Sequence, residues 1–250
     1  MIVMSDTRVI GVVSPKGGVG KTAIAVNLSV ILRLKGYRVL TVDGDTSNPS
    51  IGLQLGMENA NTSFRELATK NGRLDNLVAI HVTTGLHVIL GTLRSKPFVL
   101  TKTEVKGLAA KLKECPYDFV IIDTPPGFYN PEMMGLFDEA ILIATPDTPA
   151  VTGILRFNRI LKGLKKERYI VLNRVKGRKY ELQPDEIEDA SEAKVMATIP
   201  DDDIVSESLA EKIPACMISK TSDFSKAVAA LANKLSGGKG LTRGILTRHQ

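Results

Sequence analysis

Apolar residues along this chain come in short unbroken runs, separated by stretches in which they recur at three- and four-residue intervals. Val9–Ser14, Arg38–Asp43, Phe119–Asp123, Ala140–Ala144 and Tyr169–Asn173 are runs rich in branched aliphatic side chains. A strand with one wet face shows strict alternation, so unbroken runs predict strands covered on both faces. Helical spacing appears at Ile24, Leu28, Ile31 and Leu32, and over Thr101–Lys113, Asp147–Lys166 and Ser222–Leu235. Within Asp147–Lys166, Val151, Ile154, Leu155, Leu161 and Leu164 mark one face, while Arg156, Arg159, Lys162 and Lys166 mark another that should point outward together. Gly237–Gly238 is a stop signal after the last helix. Between Asn76 and Thr92, two apolar runs around Thr83–Thr84–Gly85 suggest a local hairpin or a strand with a bent entry. Strand followed by helix, repeated, predicts an α/β fold: a mostly parallel twisted sheet with helices on both faces.

Composition narrows this picture. At 250 residues and 43% hydrophobic content the chain supports one sizeable core, so a single domain over residues 1–236 is expected, with 237–250 as a flexible or weakly amphipathic tail. Cys115 and Cys216 stand far apart with no CxxC spacing, which suggests neither a disulfide framework nor a local metal site and fits a reducing cytoplasm. The first apolar stretch, Val9–Val13, is too short for a signal peptide or a membrane span. A formal charge of +6 predicts solubility and mild attraction to anions rather than any one partner.

The run Val9–Ser14 leads directly into Pro15-Lys16-Gly17-Gly18-Val19-Gly20-Lys21-Thr22 and then into a predicted helix. Strand, glycine loop and helix together make a phosphate cradle: glycines let backbone N–H groups turn inward, and the helix start adds its positive end. In that reading Lys21 reaches the β- and γ-phosphates and the Thr22 hydroxyl holds Mg²⁺. Pro15 stands where the usual GxxxxGK[ST] pattern has glycine. The bland alternative is a glycine-rich turn with a solvated lysine.

Residues Lys16 to Thr22 resemble the deviant Walker A loop of the MinD/ParA ATPases, with Gly17, Gly18, Val19, Gly20, Lys21, Thr22 and Ala23 as nucleotide-binding positions. The resemblance extends over nearly the whole chain. It implies a P-loop NTPase fold of the SIMIBI type, ATP and Mg²⁺ as ligands, and a homodimer formed on ATP binding. Lys16 would then reach the partner subunit's nucleotide and act like an arginine finger; as a plain loop residue it would only be solvated.

Asp43 and Asp45 end the second predicted strand, on the edge where open α/β sheets place ligands. Such a pair can support Mg²⁺ through its water shell and orient the attacking water. By resemblance Asp45 is the switch I residue needed for hydrolysis, whereas Asp43 would brace the phosphate loop; as simple turn formers both would cap Gly44–Ser50. Asp123 begins Asp-Thr-Pro-Pro-Gly, which resembles the family's Walker B and switch II segment, so Asp123 would bind a Mg²⁺-ligated water and the Gly127 N–H would reach the γ-phosphate. Guanine-selective relatives use an NKxD-type loop. Here the strand ends Asn173-Arg174-Val175-Lys176 without the aspartate, which favours adenine. The resemblance places Asn173 on the adenine edge and closes the loop Ile199-Pro200-Asp201-Asp202 over the base; the plain alternative makes Asn173 a strand cap.

Function follows as an expectation: a slow, partner-stimulated ATP hydrolase that docks on a surface as a positioning switch in cell division or in chromosome or plasmid partition. Ile199–Pro200–Asp201, Val205, Ser208, Pro214 and the final helix resemble MinD and its archaeal relatives more than plasmid partition proteins. A metal-cluster carrier of the Mrp or nitrogenase iron protein type is the alternative, disfavoured by the lack of paired cysteines. A non-enzymatic or kinase-like scaffold would lack Asp45 or carry a tyrosine-rich tail. Two docking surfaces compete. Lys239–Gln250 holds Leu241, Ile245 and Leu246 with Arg243 and Arg248, as a membrane-binding tail would, but its glycines oppose a helix. Arg156–Lys179 holds ten Lys or Arg residues and one acid, Glu167, and with Arg174, Lys176, Arg178 and Lys179 would make a surface for nonspecific DNA, unless its charges pair with the acids of Glu181–Glu192.

Overall fold

The computed structural model describes residues 7–57, 64–69, 72–91, 100–127 and 133–238. Eight strands form one sheet: β1 (Arg8–Val13), β2 (Val39–Asp43), β3 (Ala79–His81), β4 (Leu86–Ile89), β5 (Phe119–Asp123), β6 (Glu139–Ala144), β7 (Glu167–Val175) and β8 (Lys194–Pro200). Their order is β3-β4-β2-β5-β1-β6-β7-β8, and every neighbouring pair is parallel except β3 with β4. The helices are α1 (Lys21–Leu34), α2 (Ile51–Gln54), α3 (Phe64–Ala68), α4 (Lys102–Lys113), α5 (Thr148–Gly163), α6 (Pro184–Ser191), α7 (Ile204–Glu211), α8 (Ala215–Ile218) and α9 (Asp223–Leu235).

Unbroken apolar runs are explained by two cores, one on each face of the sheet. Val9 and Val13 of β1 enter the core that Leu108 and Leu112 of α4 and Ile154, Phe157 and Leu161 of α5 complete. Ile10 and Val12 of the same strand enter the opposite core, with Ile24 and Leu28 of α1 and Phe224, Val228 and Leu231 of α9. Each such fully buried side chain contributes about 1.5–3 kcal/mol relative to exposure. Side chains fix where helices begin: Thr101 and Glu104 form a reciprocal capping box at α4, Asp147 accepts from the Ala150 N–H at α5, and Ser222 accepts from the Ser225 N–H at α9. Each cap is worth about 1 kcal/mol.

The five predicted strands and the hairpin are all present, but the expected loop Ile199–Asp202 is not wholly a loop. Ile199 and Pro200 close β8, an edge strand whose apolar residues are interrupted by the exposed Lys194 and Thr198. The α5 helix is also shorter than Asp147–Lys166, because Lys165 takes a left-handed conformation just past its end. Among the described residues no helix is long and apolar enough to cross a membrane. Residues 239–250, which carry the expected membrane-binding tail, lie outside the described residues.

Parallel strands bring their carboxyl ends to one edge. The register Asp43↔Asp123 places two acids on adjacent strands there, and Val12↔Asp123 sets both beside the end of β1. The glycine loop starts at the same edge.

Candidate functional site

The loop between β1 and α1 is shaped by its glycines and by Ser14. Ser14 Oγ accepts from the Lys16 N–H at 3.1 Å and donates to the Lys16 carbonyl. Gly18 and Gly20 have φ of 75° and 95°, a region open to glycine and strained for other residues. At Gly20 a β-carbon would also lie 2.3 Å from Asn173 Nδ2. The 14-residue helix α1 then begins at Lys21 with no side-chain cap and no acidic residue in its first turn. Its first N–H groups are therefore open to an anion, and the helix dipole favours one.

Lys21 is buried and sits between two carboxylates. Desolvation lowers its pKa, while Asp123 and Asp45 oppose that shift. Thr22 Oγ1 donates to Asp123 Oδ2 at 2.6 Å and lies 3.0 Å from Ser50 Oγ. Burial pushes the Asp123 carboxyl up to about 6, against the Thr22 hydrogen bond and the Lys21 charge. Its other oxygen, Oδ1, is buried without a hydrogen-bond partner among the described residues. An orphaned carboxylate oxygen beside two hydroxyls and Asp45 is a hard-oxygen set that fits Mg²⁺, which keeps much of its water shell and needs few protein ligands. No cluster of three or more His, Cys, Asp or Glu side chains suited to a metal gathers among the described residues.

The remaining carboxylates organise the loop after β2. Asp43 Oδ1 accepts from the Asp45 N–H, and Oδ2 accepts from the N–H groups of Ser50 and Ile51. Burial, and then Asp123, push its carboxyl up to about 8. Asp43 thus braces residues 45–51, rather than the phosphate loop as expected. Asp45 Oδ1 accepts from the Ser47 and Asn48 N–H groups at 3.1 and 2.9 Å, the turn-forming arrangement, and keeps its carboxylate beside Lys21.

The cost of the buried Asp123 charge is measurable. Its folded pKa lies above the ordinary value of 3.8, so the fold holds a proton that the unfolded chain releases. This carboxyl's contribution is fully present below about pH 4 and is lost as pH rises to about 6, roughly 2–3 kcal/mol in all. Without nucleotide, Asp123→Asn should therefore unfold at a higher temperature than wild type at pH 8, and the two should converge toward pH 4. Equal melting curves at pH 8 would show that Asp123 carries no such penalty.

A cavity of about 420 Å³ opens over this arrangement, lined by Gly17, Gly18, Gly20, Lys21, Thr22, Ala23 and Asp45. The structure therefore gathers most of the sequence-predicted residues into one place. Others sit behind or beside it. Val19 is buried, and its carbonyl accepts from Asn173 Nδ2 at 2.7 Å, so Asn173 ties β7 to the glycine loop. The Gly127 N–H donates to the Ser14 carbonyl at 2.9 Å. Pro200 and Asp201 do not line the cavity: the Asp201 N–H bonds the Val175 carbonyl, and its carboxylate lies 3.3 Å from Lys176 Nζ. Lys16 Nζ lies 3.7 Å from Asp147 Oδ1, with both side chains about half exposed. Sequence reasoning missed Val205 and Leu209 as lining residues and assigned Arg174 to the basic surface, although its position one residue after Asn173 at a strand's carboxyl end was a usable signal.

That basic surface is less uniform than the helical spacing implies. Arg156, Arg159 and Lys162 are exposed on α5, but Lys162 Nζ pairs with Glu192 at 2.5 Å. Lys166 does not point outward with them. Its ammonium donates to the Phe137 carbonyl at 2.7 Å, just before the chain enters β7. Lys176, Arg178 and Lys179 are exposed on the loop after β7, where Glu181 accepts from the N–H groups of Lys176 and Arg178.

A family model described as an AAA domain matches residues 7–174. An ATP-binding protein of Methanocaldococcus jannaschii is 30% identical over 236 residues, covering 92% of this chain and 88% of that protein. The septum site-determining protein MinD of Thermotoga maritima is 26% identical over 244 residues, covering 92% and 88%. Among solved structures, the septum site-determining protein MinD of Pyrococcus horikoshii, complexed with Mg-ADP, superposes with a TM-score of 0.78 at 28% identity, covering 92% of this chain and 96% of that one.

Proposed function

Since the chain belongs to the MinD/ParA family of P-loop ATPases, we propose that it binds and hydrolyses Mg·ATP, dimerises around the nucleotide, and serves as a surface-docked positioning switch. The observation that carries this reading is Lys21, buried between Asp123 and Asp45 at an uncapped helix start whose next residue, Thr22, is bonded to Asp123. In this reading the open N–H groups of α1 and the Lys21 ammonium bind the β- and γ-phosphates. The Thr22 hydroxyl and Asp123 hold Mg²⁺, which neutralises charge on the phosphates. Asp45, fixed by its turn, orients the attacking water.

Lys16 supports a two-subunit arrangement. It does not line its own chain's cavity, and its exposed pairing with Asp147 is of a kind worth at most about 1 kcal/mol, easily exchanged for a phosphate across a dimer. Lys16→Ala should bind ATP within about threefold of wild type, fail to dimerise with ATP in gel filtration, and lose turnover by a factor on the order of 10² to 10³. Wild-type dimer formation and turnover in this variant would make Lys16 a bystander. Slow basal turnover and its acceleration by a partner protein belong to the same proposal, as does a role in positioning like that named for the septum site-determining relatives. The metal-cluster reading loses further ground, since Cys115 and Cys216 are buried in cores on opposite faces of the sheet, and burial raises both thiol pKa values, that of Cys216 to about 12.

A further inference from the structure

At the amino ends of the strands, on the edge of the sheet opposite the glycine loop, a cavity of about 210 Å³ is lined by Arg33, Arg38, Val39, His87, Pro116 and Tyr117. Val39 opens β2, His87 is the second residue of β4 and Tyr117 lies just before β5, while Arg33 comes from the last turn of α1. A helix rises about 1.5 Å per residue, which sets Arg33 roughly 18 Å along α1 from Lys21. The two cavities have no lining residue in common.

The walls of this cavity carry positive charge that the protein leaves uncompensated. Arg38 is engaged, its guanidinium donating to both carboxylate oxygens of Asp118 at 2.7 and 3.3 Å. Arg33 differs. It donates through Nε to the Gly85 carbonyl at 3.0 Å, and its two terminal nitrogens make no hydrogen bond or ion pair with any described residue. His87 is held from one side only, with Nδ1 2.8 Å from the Tyr117 hydroxyl and the two rings edge to face at 5.6 Å. Burial pushes the Tyr117 phenol up to about 12, so it keeps its proton. Burial, and then the Arg33 charge, lower the His87 pKa and keep the imidazole neutral. A neutral imidazole that accepts the phenol's hydrogen at Nδ1 carries its own at Nε2, which has no partner among the described residues.

Val39, Pro116 and the Tyr117 ring supply an apolar surface, which gives a bare phosphate nothing in place of its water. The open end of one guanidinium fits one carboxylate, oxygen by oxygen. We propose that this cavity binds a small organic carboxylate with an apolar body, its oxygens on the terminal nitrogens of Arg33 and on His87 Nε2, its body against Val39, Pro116 and Tyr117. It is a ligand site separate from the nucleotide's and does not depend on how that one is read.

Imidazole NMR reads the site directly, because the chain has three histidines and His87→Gln identifies the His87 signal by its loss. On titration of wild type with benzoate, the His87 signal should shift and saturate. Benzamide keeps the ring without the charge, and inorganic phosphate keeps the charge without the ring; each should bind at least about tenfold more weakly. Saturating Mg·ADP should leave benzoate affinity unchanged. Arg33→Gln, shown by its melting curve to be folded, should bind benzoate about tenfold more weakly and ATP as wild type does. The inference is overturned if the His87 signal does not respond to benzoate, if benzamide or phosphate binds as tightly, if Mg·ADP displaces benzoate, or if folded Arg33→Gln keeps wild-type benzoate affinity. Should Arg33→Gln fail to fold, the ligand comparisons on wild type decide the matter alone.

Discussion

Replacing Lys21 with alanine lowers ATP affinity by at least about 30-fold, since removing one partner of a buried, hydrogen-bonded charge pair costs roughly 2–5 kcal/mol. The loss is large because Lys21 is the cation that sits, already desolvated, at the start of α1; among the described residues no other lysine lines the cavity. The fold survives the change. With Lys21 gone, Asp123 keeps the Thr22 hydrogen bond but loses the Lys21 charge, so its carboxyl rises further and takes up a proton more readily than it would stay an isolated buried anion. Calorimetry with Mg·ATP, alongside a melting curve showing an intact fold, checks both statements. An affinity within threefold of wild type would refute the phosphate-loop assignment.

Asp45→Asn lowers turnover at least about a hundredfold while leaving ATP binding nearly intact. Asparagine suits this test better than alanine, because the side-chain oxygen of residue 45 also accepts from the Ser47 and Asn48 N–H groups and so shapes the loop that borders the cavity. The amide keeps that acceptor and removes the charge proposed above to orient the attacking water. Loss of a positioned carboxylate lowers the rate by a factor on the order of 10² to 10⁴. ATP affinity should stay within about fivefold, since glycine loop, Lys21 and Thr22 are untouched. The ATP dimer should consequently accumulate in gel filtration. Turnover within tenfold of wild type would remove Asp45 from the catalytic assignment, and a variant that stays monomeric with ATP would count against the sandwich arrangement.

Residues adjacent in sequence were the ones that could be read directly. The run Val9–Ser14 and residues 15–22 form strand, glycine loop and helix start in one continuous stretch, so the chemistry needs no long-range contact to become visible. The aspartates at the ends of β2 and β5 were legible for a related reason: a buried strand that ends in an acid has its carboxyl end at the ligand edge of a parallel sheet. Edge strand β8 escaped notice because the exposed Lys194 and Thr198 interrupt its apolar residues, so it lacks the unbroken run that marked the others.

Local pattern therefore specified the fold class, the glycine loop and the acids beside it, because period, turn chemistry and glycine placement are properties of contiguous residues. Partner choice needed the assembled chain. Lys166 shares its helical spacing with Arg159 and Lys162, yet it folds onto the Phe137 carbonyl, while Lys162 meets Glu192. Gly127 gives its N–H to Ser14, and Asn173 reaches Val19 across more than 150 residues of chain. Each outcome depends on which group lies within about 3 Å once distant segments are packed, and hydrogen bonds and ion pairs of such short reach leave no trace in the spacing of a sequence.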